Sequence, residues 1–102
     1  MEAGVLPKDK KLETRKIKYE GKEIEVNVFC EDPLIVGEVT AFAETDEEIR
    51  KLIEKIDIAR RIYDREPAAK VFVANVISRK VFDKIMSIVK EHGIIVIYGS
   101  TK

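Results

Sequence analysis

The chain reads as an α/β domain on a mixed β-sheet, with elements in the order β-β-β-α-β-α-β. Three observations predict this class. Residues alternate apolar and polar through Glu23–Cys30, between turn sequences at Glu20-Gly21-Lys22 and Glu31-Asp32-Pro33, which is the pattern of hairpin strands. The period then becomes helical at Ile49, Leu52, Ile56 and Ala59. Finally, the nearly unbroken apolar runs Val71–Ile77 and Ile94–Tyr98 each follow a helical stretch, as the strands of β-α-β crossovers do.

Each element has a local reason. Leu12–Glu20 is a weakly patterned strand with Ile17 and Tyr19 on one face. Gly21 supplies the positive φ of a tight turn. In Glu23–Cys30 the alternation sets Ile24, Val26, Val28 and Cys30 against Glu23, Glu25, Asn27 and Phe29. Leu34–Phe42 is the third strand, with Leu34, Val36, Glu38, Thr40 and Phe42 on one side and Ile35, Gly37, Val39 and Ala41 on the other. Thr45 and Glu48 fit a capping box that opens a helix running to about Arg65, with Pro67 beyond it. Ile58 and Ile62 widen the apolar stripe of this helix and predict a second contact, against another subunit. Val71–Ile77 predicts a strand covered on both faces. Ser78 caps a second helix that runs to His92 and turns Val81, Phe82, Ile85, Ile88 and Val89 inward, and Gly93 stands at its C-terminal cap. Ile94–Tyr98 predicts a last buried strand.

The 102 residues suit one domain, read as a flexible N-terminal segment over 1–11 and a single domain over 12–102. No apolar run approaches the roughly 20 residues of a membrane span, and Met1–Lys10 lacks the apolar core of a signal peptide. One cysteine, Cys30, excludes an intrachain disulfide and a cysteine zinc cage, and one histidine, His92, excludes a multi-histidine metal site. Cys30 reads as a small core residue and His92 as a partner of a helix C-terminus. The cluster Lys8–Lys11 reads as a solvated terminus. The absence of Gln and Trp and the high charged fraction of 37% follow the hyperthermophile tendency, so a cytoplasmic protein of a thermophile is expected.

The formal net charge is zero, but the charges are segregated. Lys8–Lys22 carries seven bases and three acids, Glu23–Glu48 nine acids and no base, and Ile49 to the end twelve bases and six acids. The block reads either as a solvated face with counter-charges nearby or as an acidic site that needs a cation.

The stretch Glu23-Ile24-Glu25-Val26-Asn27-Val28, a turn, and Ile35-Val36-Gly37-Glu38-Val39-Thr40 resembles the PD-(D/E)XK (restriction-endonuclease-like) nuclease superfamily, most of all its small archaeal nuclease-like domains. The likeness in element order runs from about Leu12 to Gly99. The resemblance implies a restriction-endonuclease-like core, here lacking the family's leading helix. It also implies two carboxylates on adjacent strands holding Mg2+ or Mn2+, which polarises a phosphodiester, and a lysine two residues after the second acid that orients the attacking water. Carried over by position, Asn27 falls at the first acid, Glu38 at the second, and Thr40 at the lysine. Glu25, one pleat period from Asn27, is the substitute acid, and Lys51 or Lys55 on the following helix is the migrated lysine. The metal-type set is therefore Glu38, Asn27 and Glu25, and the catalytic set Glu38, Thr40 and Lys51 or Lys55.

Three functions follow from this pattern. The first is a nuclease-fold protein with a weakened or silent site that acts as an interaction or nucleic-acid-associated module, as a homodimer. The second is an active metal-dependent phosphodiester hydrolase of DNA or RNA. The third is an unrelated small α/β structural protein. In the third reading Glu38 is a strand residue facing solvent, although it stands in an otherwise apolar strand.

Overall fold

A computed structural model describes residues 12–102; the segment expected over 1–11, with Lys8–Lys11, lies outside the described residues. The elements are β1 (Glu13–Tyr19), β2 (Lys22–Cys30), β3 (Ile35–Ala43), α1 (Glu47–Tyr63), β4 (Ala69–Ile77), α2 (Arg79–His92) and β5 (Ile95–Thr101). They form an α/β fold with one five-stranded mixed sheet in the order β1-β2-β3-β4-β5. The β1–β2 and β2–β3 pairs are antiparallel, and the β3–β4 and β4–β5 pairs are parallel. No helix among the described residues is long and apolar enough to cross a membrane.

β3, β4 and β5 are neighbours in chain order, so two crossovers of one hand carry α1 and α2 to the same face of the sheet. On that face Val36, Phe72 and Ala74 join Ile49, Leu52, Ile56, Ala59, Ile85 and Val89 in one buried core. The opposite face carries a smaller cluster, Cys30, Ile35 and Ala69 with Val28 and Val71 against it.

Several local signals act as the sequence predicts. Glu20 and Gly21 both take positive φ, 51° and 78°, in the two-residue β1–β2 turn. The Ser78 hydroxyl accepts from the Lys80 N–H at 3.3 Å. Gly93, at φ 66°, closes α2, with its N–H donating to the Val89 carbonyl.

Other details correct the sequence reading. The residue before α1 is Asp46, and the capping box does not close. The Thr45 hydroxyl accepts from the Glu47 N–H at 3.1 Å, while Glu48 turns to Lys51. α1 stops at Tyr63, because Asp64 adopts a left-handed conformation at φ 54°. Ile58 packs partly on the core, leaving only Ile62 of that pair exposed.

The alternation in β2 is broken by a bulge. Glu13 pairs with Phe29 but Arg15 with Val26, so β2 holds an extra residue near Asn27 and Val28. Ile24, Val26 and Phe29 therefore enter the helical core, while Val28 and Cys30 belong to the opposite face. Gly37 of β3 lies beside the bulge, where a Cβ would come within 2.9 Å of the Val28 Cβ and 3.0 Å of the Val71 carbonyl oxygen. No larger residue fits that approach without moving a strand.

The two apolar strands are open on the far face only in their middle, since Ala69 and Ile77 at the ends of β4 are buried. Phe72, Ala74 and Ile77 of β4 are buried, whereas Val71 and Val73 are partly open. In β5 Ile95 is 50% exposed and Ile97 56% exposed, so the last strand is not the buried one expected.

Candidate functional site

β2 and β3 pair only over Val28–Cys30 and Ile35–Gly37. Beyond Gly37 the strands fork, and β3 continues along β4 alone. The side-chain oxygen of Asn27 takes the place of one lost ladder partner by accepting the Val39 N–H at 3.2 Å. The Thr14 hydroxyl in turn donates to the Asn27 carbonyl at 3.0 Å. Asn27 is thus committed to holding the fork, which an aspartate would also do.

Glu38 is the first β3 residue past the fork and the sole buried polar or charged residue among those described. It shares the pleat face of Val36, so its side chain points under α1. Lys55 reaches down from α1, and its Nζ lies 2.8 Å from Glu38 Oε1. The side chains are 9% and 16% exposed, so the pair is largely desolvated. Both polar ends are satisfied: no buried side-chain nitrogen or oxygen lacks a partner among the described residues.

Of the residues singled out in the sequence, the fold brings Glu38 and Lys55 together. Lys51, one turn earlier, is half exposed and lies 3.7 Å from Glu48. Thr40 is two residues along from Glu38 on the same strand face, in register with Ala74. Glu25 is exposed and lies opposite Lys16, and its neighbours Ile24 and Val26 enter the helical core, which puts Glu25 on the other side of the sheet from Glu38. The set Glu38, Asn27 and Glu25 is therefore split between two faces. Among the described residues no group of three His, Cys, Asp or Glu side chains could hold a metal ion. A single carboxylate already bonded to an ammonium does not fit a divalent cation, which needs several oxygen ligands.

Several acids of the acidic block meet bases from elsewhere in the chain. Glu25 and Glu23 face Lys16 and Lys18 across the β1–β2 ladder. Glu31 meets Arg15 at 3.2 Å and Glu38 meets Lys55. Asp46 is bonded by Arg50 and by Lys84 at 3.2 Å, which hold its carboxyl below the usual carboxylate range. These counter-charges come from the two basic flanks, which fold back onto part of the acidic block. A groove of about 510 Å³ beside α1 follows the same rule. Its Arg60 is bonded to Glu66 at 2.8 Å, and its Lys70 donates to the carbonyl of His92 at 2.8 Å, at the C-terminal end of α2.

The open middle of β3, β4 and β5 on the face away from the helices holds none of the residues singled out in the sequence. Its signal was present in the sequence as two strands apolar on both sides, the second of them, Ile95–Thr101, carrying no charge. Comparison with known proteins returns no matching family model, and no curated protein or solved structure matches the chain.

Proposed function

We propose that the chain is a nuclease-fold protein with a silent catalytic set that works as an interaction module and self-associates. The observation that supports this reading is the Glu38–Lys55 pair. The one acid of metal type that the fold buries is spent on an internal ion pair, and Asn27 is spent on the Val39 N–H. Among the described residues no group of three acids, His or Cys gathers around Glu38 for the Mg2+ or Mn2+ of the resemblance, and Thr40 supplies no cation where the family places one. The charge-rich, amide-poor composition supports a cytoplasmic protein of a thermophile, and the resemblance adds an archaeal source.

A second reading is favoured by the same lysine. Lys55 brings an amine to Glu38 from α1, as a migrated lysine would, and metal-dependent cleavage of DNA or RNA would then require Lys55 to release the carboxylate. Nuclease assays with Mg2+ and Mn2+ on wild type, Glu38→Ala and Thr40→Lys separate the two. The module reading expects no cleavage from wild type or Glu38→Ala, and cleavage from Thr40→Lys alone marks a disarmed site. Wild-type cleavage that Glu38→Ala abolishes overturns it.

A further inference from the structure

The two edges of the sheet are built differently. β1 presents Arg15, Lys16 and Lys18, charges that discourage further strand pairing. β5, the opposite edge, runs over Ile95–Thr101 with no charge, no proline and no shift in its register with β4. The backbone of Lys102 faces inward: its N–H donates to the Ile77 carbonyl at 3.1 Å, and its carbonyl accepts from the Arg79 N–H at 2.7 Å. Alternation along the strand then turns the N–H and carbonyl groups of Ile95, Ile97, Gly99 and Thr101 outward, where the sheet has no further strand among the described residues.

α2 runs along the same edge in the opposite direction, from Arg79 beside Lys102 to a C-terminus beside Ile94. Its Lys84 faces α1, where it meets Asp46. The other side faces β5: the Phe82 ring lies edge to face with Tyr98 at 5.5 Å, and Asp83 lines a shallow cleft with Tyr98 and Thr101. Asp83, Met86 and Lys90 continue that side at helical spacing. Asp83 and Lys90 are exposed, and neither forms an ion pair among the described residues.

We infer that β5 pairs antiparallel with β5 of a second copy, about a two-fold axis near Tyr98, and joins the two sheets into one. The inference rests on the module reading, and it moves the expected subunit contact from the Ile58–Ile62 side of α1 to the β5 edge.

Three arguments choose a second copy as the occupant. The first is backbone register. An axis at Tyr98 sets Ile97 opposite Gly99 and Ile95 opposite Thr101, so every outward group of β5 gains a partner. The second is charge complementarity. Asp83 and Lys90 stand three and four residues to either side of Met86, over the middle of β5. In an antiparallel pair of α2 helices, Asp83 of each copy therefore meets Lys90 of the other, with Met86 at the axis. α2 joins β4 to β5 and lies over that pair, so strands about 4.8 Å apart put the two helices about 10 Å apart, the spacing of packed helices. A peptide strand of another protein would use the edge and leave this charge pattern unmet. The third is closure. The charged β1 edge resists further pairing, so association stops at two.

The test is sedimentation equilibrium of the full chain, with circular dichroism to verify folding. Wild type is expected to be a dimer that dissociates in the micromolar range. Ile97→Pro removes an outward N–H without touching the β4 ladder and is expected to weaken association by more than about 100-fold. Asp83→Lys, on the exposed helix surface, sets like charges together at both ends of the contact and is expected to weaken it by at least about tenfold. The double exchange Asp83→Lys with Lys90→Asp restores opposite charges and is expected to return the affinity to within about threefold of wild type. Ile62→Lys, on α1, is expected to leave the mass unchanged. A wild-type monomer at millimolar concentration overturns the proposal. So does a dimer unaffected by Asp83→Lys, a double exchange that fails to restore it, or a dimer lost in Ile62→Lys. Outward amides of Ile97 and Gly99 that exchange as fast in the dimer as in the monomer overturn it too. The nuclease assay fails independently: a monomer that cleaves nothing removes the dimer and keeps the module, whereas a dimer that cleaves removes the module and keeps the interface.

Discussion

The two faces of the sheet are built from the same strands and have opposite fates. On the helical face Val36, Phe72 and Ala74 meet α1 and α2, and even the one buried carboxylate there has its own counter-ion within 2.8 Å. On the other face Val39, Ile95 and Ile97 are about half exposed although they are as apolar as the buried residues beside them. Among the described residues the helical face is packed at its centre by α1 and α2, whereas the other face is buried only around Cys30, Ile35 and Ala69. The edges of the sheet repeat the contrast. β1 carries Arg15, Lys16 and Lys18, a common guard against further strand pairing, whereas Ile95–Thr101 is uncharged. Apolar sequence in a strand thus states a demand for cover without saying which chain meets it.

The largest expected effect lies in the core of the helical face. Phe72→Ala should destabilise the fold by about 3–5 kcal/mol by leaving a cavity under α1 and α2. Its neighbour Val73, in the open middle of the far face, should cost about 1 kcal/mol or less on truncation to Ala in dilute protein. Urea unfolding of both variants reads the difference, and equal losses would mean that the two faces are equally closed.

The ion pair comes next. Lys55→Ala leaves the Glu38 carboxylate unpaired under α1 and should cost about 3 kcal/mol. The apolar double replacement Glu38→Leu with Lys55→Met should return stability close to wild type, since neither charge is then buried alone. A double variant as unstable as Lys55→Ala would show that the pair organises more than its own charges. Asn27→Ala should cost about 1 kcal/mol by freeing the Val39 N–H at the fork, and the Val39 amide should exchange faster than the paired Gly37 amide.

The smallest effect is electrostatic and depends on pH. Arg50 first and Lys84 second hold the Asp46 carboxyl below its ordinary range, because both bond the charged form. Folding therefore lowers this group's affinity for protons. Its contribution is fully present above the ordinary carboxylate range and is lost as pH falls through the depressed folded value. Asp46→Asn should flatten the acid limb of the stability profile, with a small loss of stability near neutrality and none at pH below the depressed value. Such exposed pairs contribute little each, so thermal melts at several pH values are the suitable readout.

What was legible in the sequence was what neighbours along the chain decide. The element order, the Glu20-Gly21 turn, the Ser78 cap and the Gly93 terminus each depend on a few adjacent residues. The alternation of Glu23–Cys30 was misleading because its bulge is set by pairing with β1, which no residue inside the run announces. The candidate site was half legible for a related reason. Glu38 stood out as an acid in an apolar strand, and Lys51 and Lys55 share one helix face a turn apart. Only the seating of α1 over β3 selects Lys55 and leaves Lys51 with Glu48. The apolar runs Val71–Ile77 and Ile95–Thr101 predicted cover on both faces, and the described residues supply it in full on one.

The difference between the two edges is tested most directly by the thermal midpoint as a function of protein concentration. A second copy that binds only the folded chain raises the midpoint by mass action. The wild-type midpoint should therefore climb steadily as the concentration rises through the micromolar range, and that of Ile97→Pro should stay flat. A wild-type midpoint that does not move with concentration would contradict the account, because the β5 edge would then need no partner.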